Sequence, residues 1–239
     1  MSDHVVPAAS GLAILMNGAS SSGKSTLSRA LHARLSALAV DDPSRHFGSV
    51  AFDDIVPMID ETMHPVSFVE LQGRETGHLQ SRAPHDGRAG WEYVDDSDTD
   101  GVHGGTPRVR LVLHPYVRRL LHGVHLGWGE HLRLGTNLII DHFLQDHDWA
   151  DECMGVLSGA NSSVFTVRVD CDLAELERRE SSRADGDLEG RPLGLARRSD
   201  ELCHSHGIDY DVTVSTSAQT TDKSVDAILA ALAGAGLLP

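Results

Sequence analysis

The residues of this chain best suited to chemistry are a lysine and a run of hydroxyls held between two glycines. Gly18, Ala19, Ser20, Ser21, Ser22, Gly23, Lys24, Ser25 and Thr26 form the pattern G-x-x-x-x-G-K-S followed by a threonine. Gly18 and Gly23 permit backbone angles that other residues avoid, so successive N–H groups can turn toward one anion. Lys24 adds a point charge suited to β- and γ-phosphates, and the Ser25 hydroxyl can ligate Mg²⁺. A helix beginning at Lys24 aims its positive end at the same place. The spacing predicts binding of a nucleoside triphosphate with Mg²⁺.

Carboxylates come next. The apolar run Val50-Ala51-Phe52 ends in Asp53-Asp54, and Leu138-Ile139-Ile140 ends in Asp141. A hydroxyl attacking a γ-phosphate must lose its proton, and a carboxylate within hydrogen-bond reach can orient and accept it. Asp53 is the choice for that role. Asp54 competes with it, and its other use is to cap the helical residues Ile55 to Ile59. Asp141 stands where a Walker-B-type carboxylate would hold Mg²⁺ directly or through water; a capping or turn aspartate is the plainer alternative. Arg178, Arg179, Arg183, Arg191, Arg197 and Arg198 surround a Gly/Asp/Pro loop at 184–194. A mobile loop bearing arginines can close over a triphosphate and neutralise transition-state charge. Arg179 and Arg183 are the preferred phosphate contacts and Arg191 a further one. The competing reading is a helix surface laced with i,i+4 pairs such as Glu175–Arg179.

These residues need a frame, and the hydrophobic pattern predicts one. Strands are expected at 12–17, 48–52, 137–141, 164–169 and 211–214, and helices at 24–38, 114–134, 146–158, 172–184, 194–205 and 222–233. Such alternation marks an α/β fold with a parallel sheet flanked by helices. In such a sheet ligands lie beyond the carboxyl ends of the strands, where the loop and all three aspartates fall. Asp172-Leu-Ala-Glu175 fits a capping box. Residues 63–108 break the rhythm, although 91–94 and 109–112 alternate like a hairpin. The segment 63–110 reads as a substrate-side insertion between the second and third strands of the sheet, or else as a disordered decoration.

Composition narrows the partners. Against 20 basic side chains stand 35 acidic ones, a formal charge of −15, which repels nucleic acid and anionic membranes. No apolar stretch approaches the roughly 20 residues that span a bilayer, and Leu12–Met16 is too short for a signal core. Three widely spaced cysteines fit reduced thiols. The expectation is a cytoplasmic protein of one domain over 1–239, with a homo-oligomer left open. The 15 histidines show no H-E-x-x-H pair or convincing ligand spacing, so the sequence argues against a dedicated zinc site.

Several segments together resemble the chloramphenicol phosphotransferase-like kinases, small P-loop enzymes that phosphorylate antibiotic hydroxyls. They are Leu15–Ser25, Phe52-Asp-Asp54, Asn137–Phe143, Val167–Glu180 and His206–Val212. The resemblance implies a P-loop kinase fold with a five-stranded parallel sheet, an Arg-bearing lid and transfer of the ATP γ-phosphate to a hydroxyl. It also implies a catalytic aspartate at Asp53 and lid arginines near Arg179 and Arg183. The chain differs in a longer lid, a longer 63–110 region, and Val214-Ser-Thr where an aspartate is expected before the threonine.

The leading expectation is therefore an ATP-dependent O-phosphotransferase acting on a small hydroxylated molecule, an antibiotic in the first place. Phe68, Trp91, Tyr93, Tyr116 and Trp128 could face a ring-bearing acceptor, or could simply pack the core. The alternative is a metabolic kinase for a nucleoside, sugar or shikimate-like acid, for which Arg74, Arg82, Arg88, Arg108 and Arg110 could serve. A nucleotide-dependent regulatory protein is a third reading; the chain lacks the N-K-x-D motif of a guanine switch.

Overall fold

A computed structural model of the chain describes residues 10–59, 90–96, 107–184 and 192–238. Among them, five strands form one parallel sheet: β1 (Leu12–Asn17), β2 (Phe47–Ala51), β5 (Asn137–His142), β6 (Ser163–Asp170) and β7 (Val212–Ser215), in the order β2-β5-β1-β6-β7. Every residue of the central β1 is buried, as a strand covered on both faces requires. Its side chains alternate between two cores. Ala13 and Leu15 join Leu138, Ile140, Val117, Leu121 and Trp149 on one face. Leu12, Ile14 and Met16 join Phe165, Leu27, Leu31 and Ile228 on the other. Helices α1 (Lys24–Leu38) and α6 (Thr221–Gly234) thus cover one face, while α2 (Pro115–Arg133) and α3 (His147–Gly159) cover the other.

Register brings the predicted chemistry together. Met16 pairs with Asp141, and Ala51 pairs with the same Asp141 across β5. The phosphate loop, Asp141 and the residues just after Ala51 therefore leave the sheet at one edge.

The expected hairpin is present: β3 (Trp91–Asp95) and β4 (Val109–Leu113) pair antiparallel. Leu111 and Leu113 are buried, with Trp91 and Tyr93 packed beside them. Three side chains and one carbonyl hold it in place. The buried Gln145 amide accepts the Leu111 N–H at 3.1 Å and donates to the Leu111 carbonyl at 2.6 Å, as a neighbouring strand would. On the other side the Val109 N–H donates to the Gly194 carbonyl at 3.1 Å. Asp96 pairs with Arg110 and Arg198, and Arg108 pairs with Glu201. Gly194, at φ 94°, cannot gain a Cβ without striking Pro107, so hairpin and helix α5 (Leu195–Cys203) are in close contact there.

Two local expectations need correction. The residues after Asp54 form a 3₁₀ turn, Phe52–Met58, in place of an α-helix. Pro57 has no N–H to give and disfavours a helical residue before it, so the turn ends quickly. The capping box at Asp172 does not form. Asp172 N–H donates to Ser217 Oγ, and the Glu175 carboxylate instead binds Arg178 and Arg179 on helix α4 (Leu173–Ala184). Phe68, Arg74, Arg82, Arg88, most of 63–110 and most of the 184–194 loop, Arg191 included, lie outside the described residues, as does the side chain of Arg183.

Candidate active site

The loop after β1 doubles back into α1 because Ser21 and Gly23 take left-handed angles, φ 64° and 89°. A Cβ on Gly18 would stand 2.3 Å from the Val169 carbonyl oxygen, so the loop passes too close to β6 for any larger residue. Side chains from distant segments brace it. Ser20 N–H donates to Ser199 Oγ at 2.9 Å, and Thr216 Oγ1 donates to the Ser22 carbonyl at 2.6 Å. Ser199 carries no sequence signal, because it acts through a single hydroxyl far along the chain, whereas Thr216 is the threonine that closes Val214-Ser-Thr.

Lys24 is buried, and its ammonium donates to the Gly18 and Ala19 carbonyls at 2.8 and 2.7 Å. It also lies 5.9 Å from the centre of the Phe143 ring. Asp141 is buried close by. Burial raises its carboxyl above the usual range, while the Lys24 charge and a hydrogen bond from Ser25 draw it down and the charge of Asp53 pushes it up. Lys24, Ser25, Asp141 and Asp53 therefore form one electrostatic group. Two carboxylates and a hydroxyl are oxygen-rich and hard, the donor set that Mg²⁺ prefers.

The two adjacent aspartates are distinguished by their hydrogen bonds. Asp54 Oδ2 accepts the Ala51 N–H at 2.7 Å and so is committed to the turn. Asp53 is exposed at the turn's first residues, on the side that Asp141 senses.

Arg179 stands elsewhere. Its Nε donates to Glu175 at 2.8 Å, Nη1 to Thr216 Oγ1 at 3.1 Å and to the Ser22 and Ser21 carbonyls at 3.3 and 3.4 Å, and Nη2 to the Thr216 carbonyl at 3.0 Å. The guanidinium ties the loop's carbonyls to the exit of β7. Arg178, Arg197 and Arg198 are likewise paired with Glu175, Glu177, and Asp96 with Glu201. In the described part of the basic cluster, carboxylates take up these arginines. Of the aromatics, Trp128 is core, Trp91 and Tyr93 are partly buried against it, and Tyr116 is exposed.

Residues 11–233 match the family model described as chloramphenicol phosphotransferase-like protein. No curated protein matches the chain in sequence. Among solved structures, the Mycobacterium tuberculosis APS kinase CysC, in complex with AMPPNP and APS, aligns at 13% identity and a TM-score of 0.52 over 95% of this chain and 99% of its own. Chaetomium thermophilum Kti12, in complex with ADP-AlF3, aligns at 11% identity and a TM-score of 0.50 over 92% and 98%. At such identities these likenesses concern the fold. The chain belongs to the chloramphenicol phosphotransferase-like family, has the P-loop kinase fold that the sequence predicts, and is an ATP-dependent phosphotransferase.

Proposed function

We propose that this member of the chloramphenicol phosphotransferase-like family moves the γ-phosphate of ATP onto a hydroxyl of a small neutral molecule, an antibiotic being the leading class. The observation that supports this best is the sheet register, which brings the phosphate loop, Asp141 and the residues just after Ala51 to one edge. In the proposed reaction the acceptor hydroxyl donates a hydrogen bond to the Asp53 carboxylate. Its oxygen attacks the γ-phosphorus, the bond from that phosphorus to the β–γ bridging oxygen breaks, and ADP leaves. Asp53 takes the proton as the new ester bond forms.

The remaining residues position the phosphates. The N–H groups of Gly18 to Thr26 cradle them, and Lys24 supplies fixed positive charge. Ser25 and Asp141 are the residues that would hold Mg²⁺, which neutralises charge on the phosphate oxygens when bound. Arg179 acts in this reading by stiffening the loop, while Arg183 and Arg191 are left as candidates for direct contact from the lid.

The character of the acceptor follows from charge and from the family. Arg108 and Arg110 of the hairpin are engaged by Glu201 and Asp96, which disfavours a strongly anionic acceptor such as a shikimate-like acid. The family's description and the hairpin's position beside the loop after β5 favour a neutral hydroxylated ring compound, with exposed Tyr116 as an aromatic contact. Incubating candidate antibiotics, nucleosides and sugars with Mg-ATP and weighing the products tests the reading. A gain of about 80 daltons, one HPO₃ unit, on an antibiotic supports it. The same gain confined to a nucleoside or sugar would transfer the assignment to a metabolic kinase. Tight nucleotide binding with negligible turnover on every compound would favour a regulatory role.

A further inference from the structure

Beside the phosphate loop, α2, β5 and α3 bury three side chains together: His125, His142 and Cys153 offer ligand atoms all within 4.8 Å of one another. Such a trio invites a metal, but donors and acceptors argue otherwise. His142 Nδ1 accepts the Phe143 N–H at 2.7 Å, so that nitrogen has a lone pair and no proton. A neutral imidazole then has its proton on Nε2. His142 Nε2 lies 2.8 Å from His125 Nε2, so the first donates and the second accepts. The proton of His125 must consequently be on Nδ1, which sits 2.8 Å from Glu152 Oε1. Each assignment forces the next, and every partner is satisfied. A metal bound to both Nε2 atoms would move the His142 proton to Nδ1, where it would face the Phe143 N–H donor to donor.

We propose that Glu152, His125 and His142 form a hydrogen-bonded relay that positions the Asp141–Leu144 segment against the phosphate loop. The relay ends on the main chain of Phe143, two residues beyond Asp141. Farther along, Leu144 is tied twice: its N–H donates to Asn17 Oδ1 at 2.9 Å and its carbonyl lies 2.9 Å from His206 Nε2. Removing the relay leaves the Leu144 ties but frees the peptide between Asp141 and Phe143. A carboxylate behind a histidine fixes its tautomer and orientation, and here the effect passes through a second imidazole. The three are positioning residues. The consequence for Mg²⁺ rests on the reading of Asp141 given above; the tautomers do not.

Long-range ¹H–¹⁵N spectra of the full ¹⁵N-labelled chain read the tautomers directly. The expected pattern is His142 with Nε2–H and His125 with Nδ1–H. A proton on His142 Nδ1, or one zinc retained per chain after dialysis against zinc chloride, overturns the relay. Its effect is read by titrating a fluorescent ATP analogue with and without Mg²⁺. His125→Phe should cut the affinity gained from Mg²⁺ by about tenfold and leave Mg²⁺-free binding unchanged. His125→Gln, which keeps one acceptor and one donor, should restore most of the gain, and Glu152→Gln provides a second route should the Phe variant fold poorly. If Asp141→Asn abolishes the gain while the relay variants keep it, the positioning role falls and the Mg²⁺ site stands. If Asp141→Asn changes nothing, both fall together.

Discussion

Asp53 and Asp54 are neighbours with separate employment: Asp54 accepts the Ala51 N–H at 2.7 Å, while the charge of exposed Asp53 is felt by buried Asp141. Adjacent residues in a tight turn point in different directions, so one can hold the turn while the other serves a different partner.

Asp53→Asn should lower kcat by about two to four orders of magnitude, the usual worth of a positioned general base, with ATP affinity near normal. Steady-state kinetics on an acceptor found by the screen, paired with nucleotide titration, checks this. Full activity in the variant removes Asp53 from the base role.

Asp54→Ala should behave in the opposite way. Losing a capping carboxylate costs about 1 kcal/mol, visible as a lower midpoint in urea unfolding, while the chemical step keeps most of its rate. A collapse of kcat without loss of stability would exchange the two assignments.

Lys24→Ala should weaken nucleotide binding and turnover together, since the ammonium serves ground state and transition state alike. Chelating divalent ions with EDTA should abolish turnover, and restoring Mg²⁺ should recover it. Unchanged activity in chelator would remove the metal role from Ser25 and Asp141.

Thr216→Val deletes the hydroxyl that bonds the Ser22 carbonyl at 2.6 Å and receives Arg179. With the brace gone, faster amide exchange across 18–23 and a several-fold weaker ATP affinity are expected, roughly the 1 kcal/mol worth of one hydrogen bond. Exchange rates equal to wild type would show that the loop holds its shape unaided.

Glu175 gives a pH test. Hydrogen bonds from Arg178 and Arg179 lower its carboxyl from 4.5 to about 2. A carboxylate whose pKa falls on folding stabilises the native state above its unfolded value and loses that contribution as acid protonates it. Glu175→Gln should therefore melt earlier than wild type above pH 4.5, and the gap should close as pH falls toward about 2. A gap independent of pH would mean that the pair contributes through packing.

How much of this was legible beforehand depended on distance along the chain. The phosphate loop was readable because its nest is contiguous, so spacing alone encodes its geometry. The strands were readable because two-sided burial leaves runs such as Leu138-Ile139-Ile140. The choice of Asp53 over Asp54 rests on its place at the strand end; the bond from Asp54 to the turn was not readable, since it depends on a 3₁₀ turn cut short by Pro57. The basic cluster points to Arg179 as a phosphate contact but not to its hydrogen bonds with Thr216, which depend on how β6 and β7 lie side by side. The histidines gave no spacing signal because His125, His142 and Glu152 come from three separate elements.

The hairpin is fastened largely through atoms that nearly every residue type possesses. Gln145 grips the peptide of Leu111 and Gly194 receives the peptide of Val109, whatever side chains those positions bear. Mutation can therefore rewrite the outward-facing side of β3 and β4 without loosening the clasp or disturbing the phosphate machinery behind it. In the proposed function, selectivity carried by this hairpin is free to drift over generations while the power to phosphorylate is inherited intact.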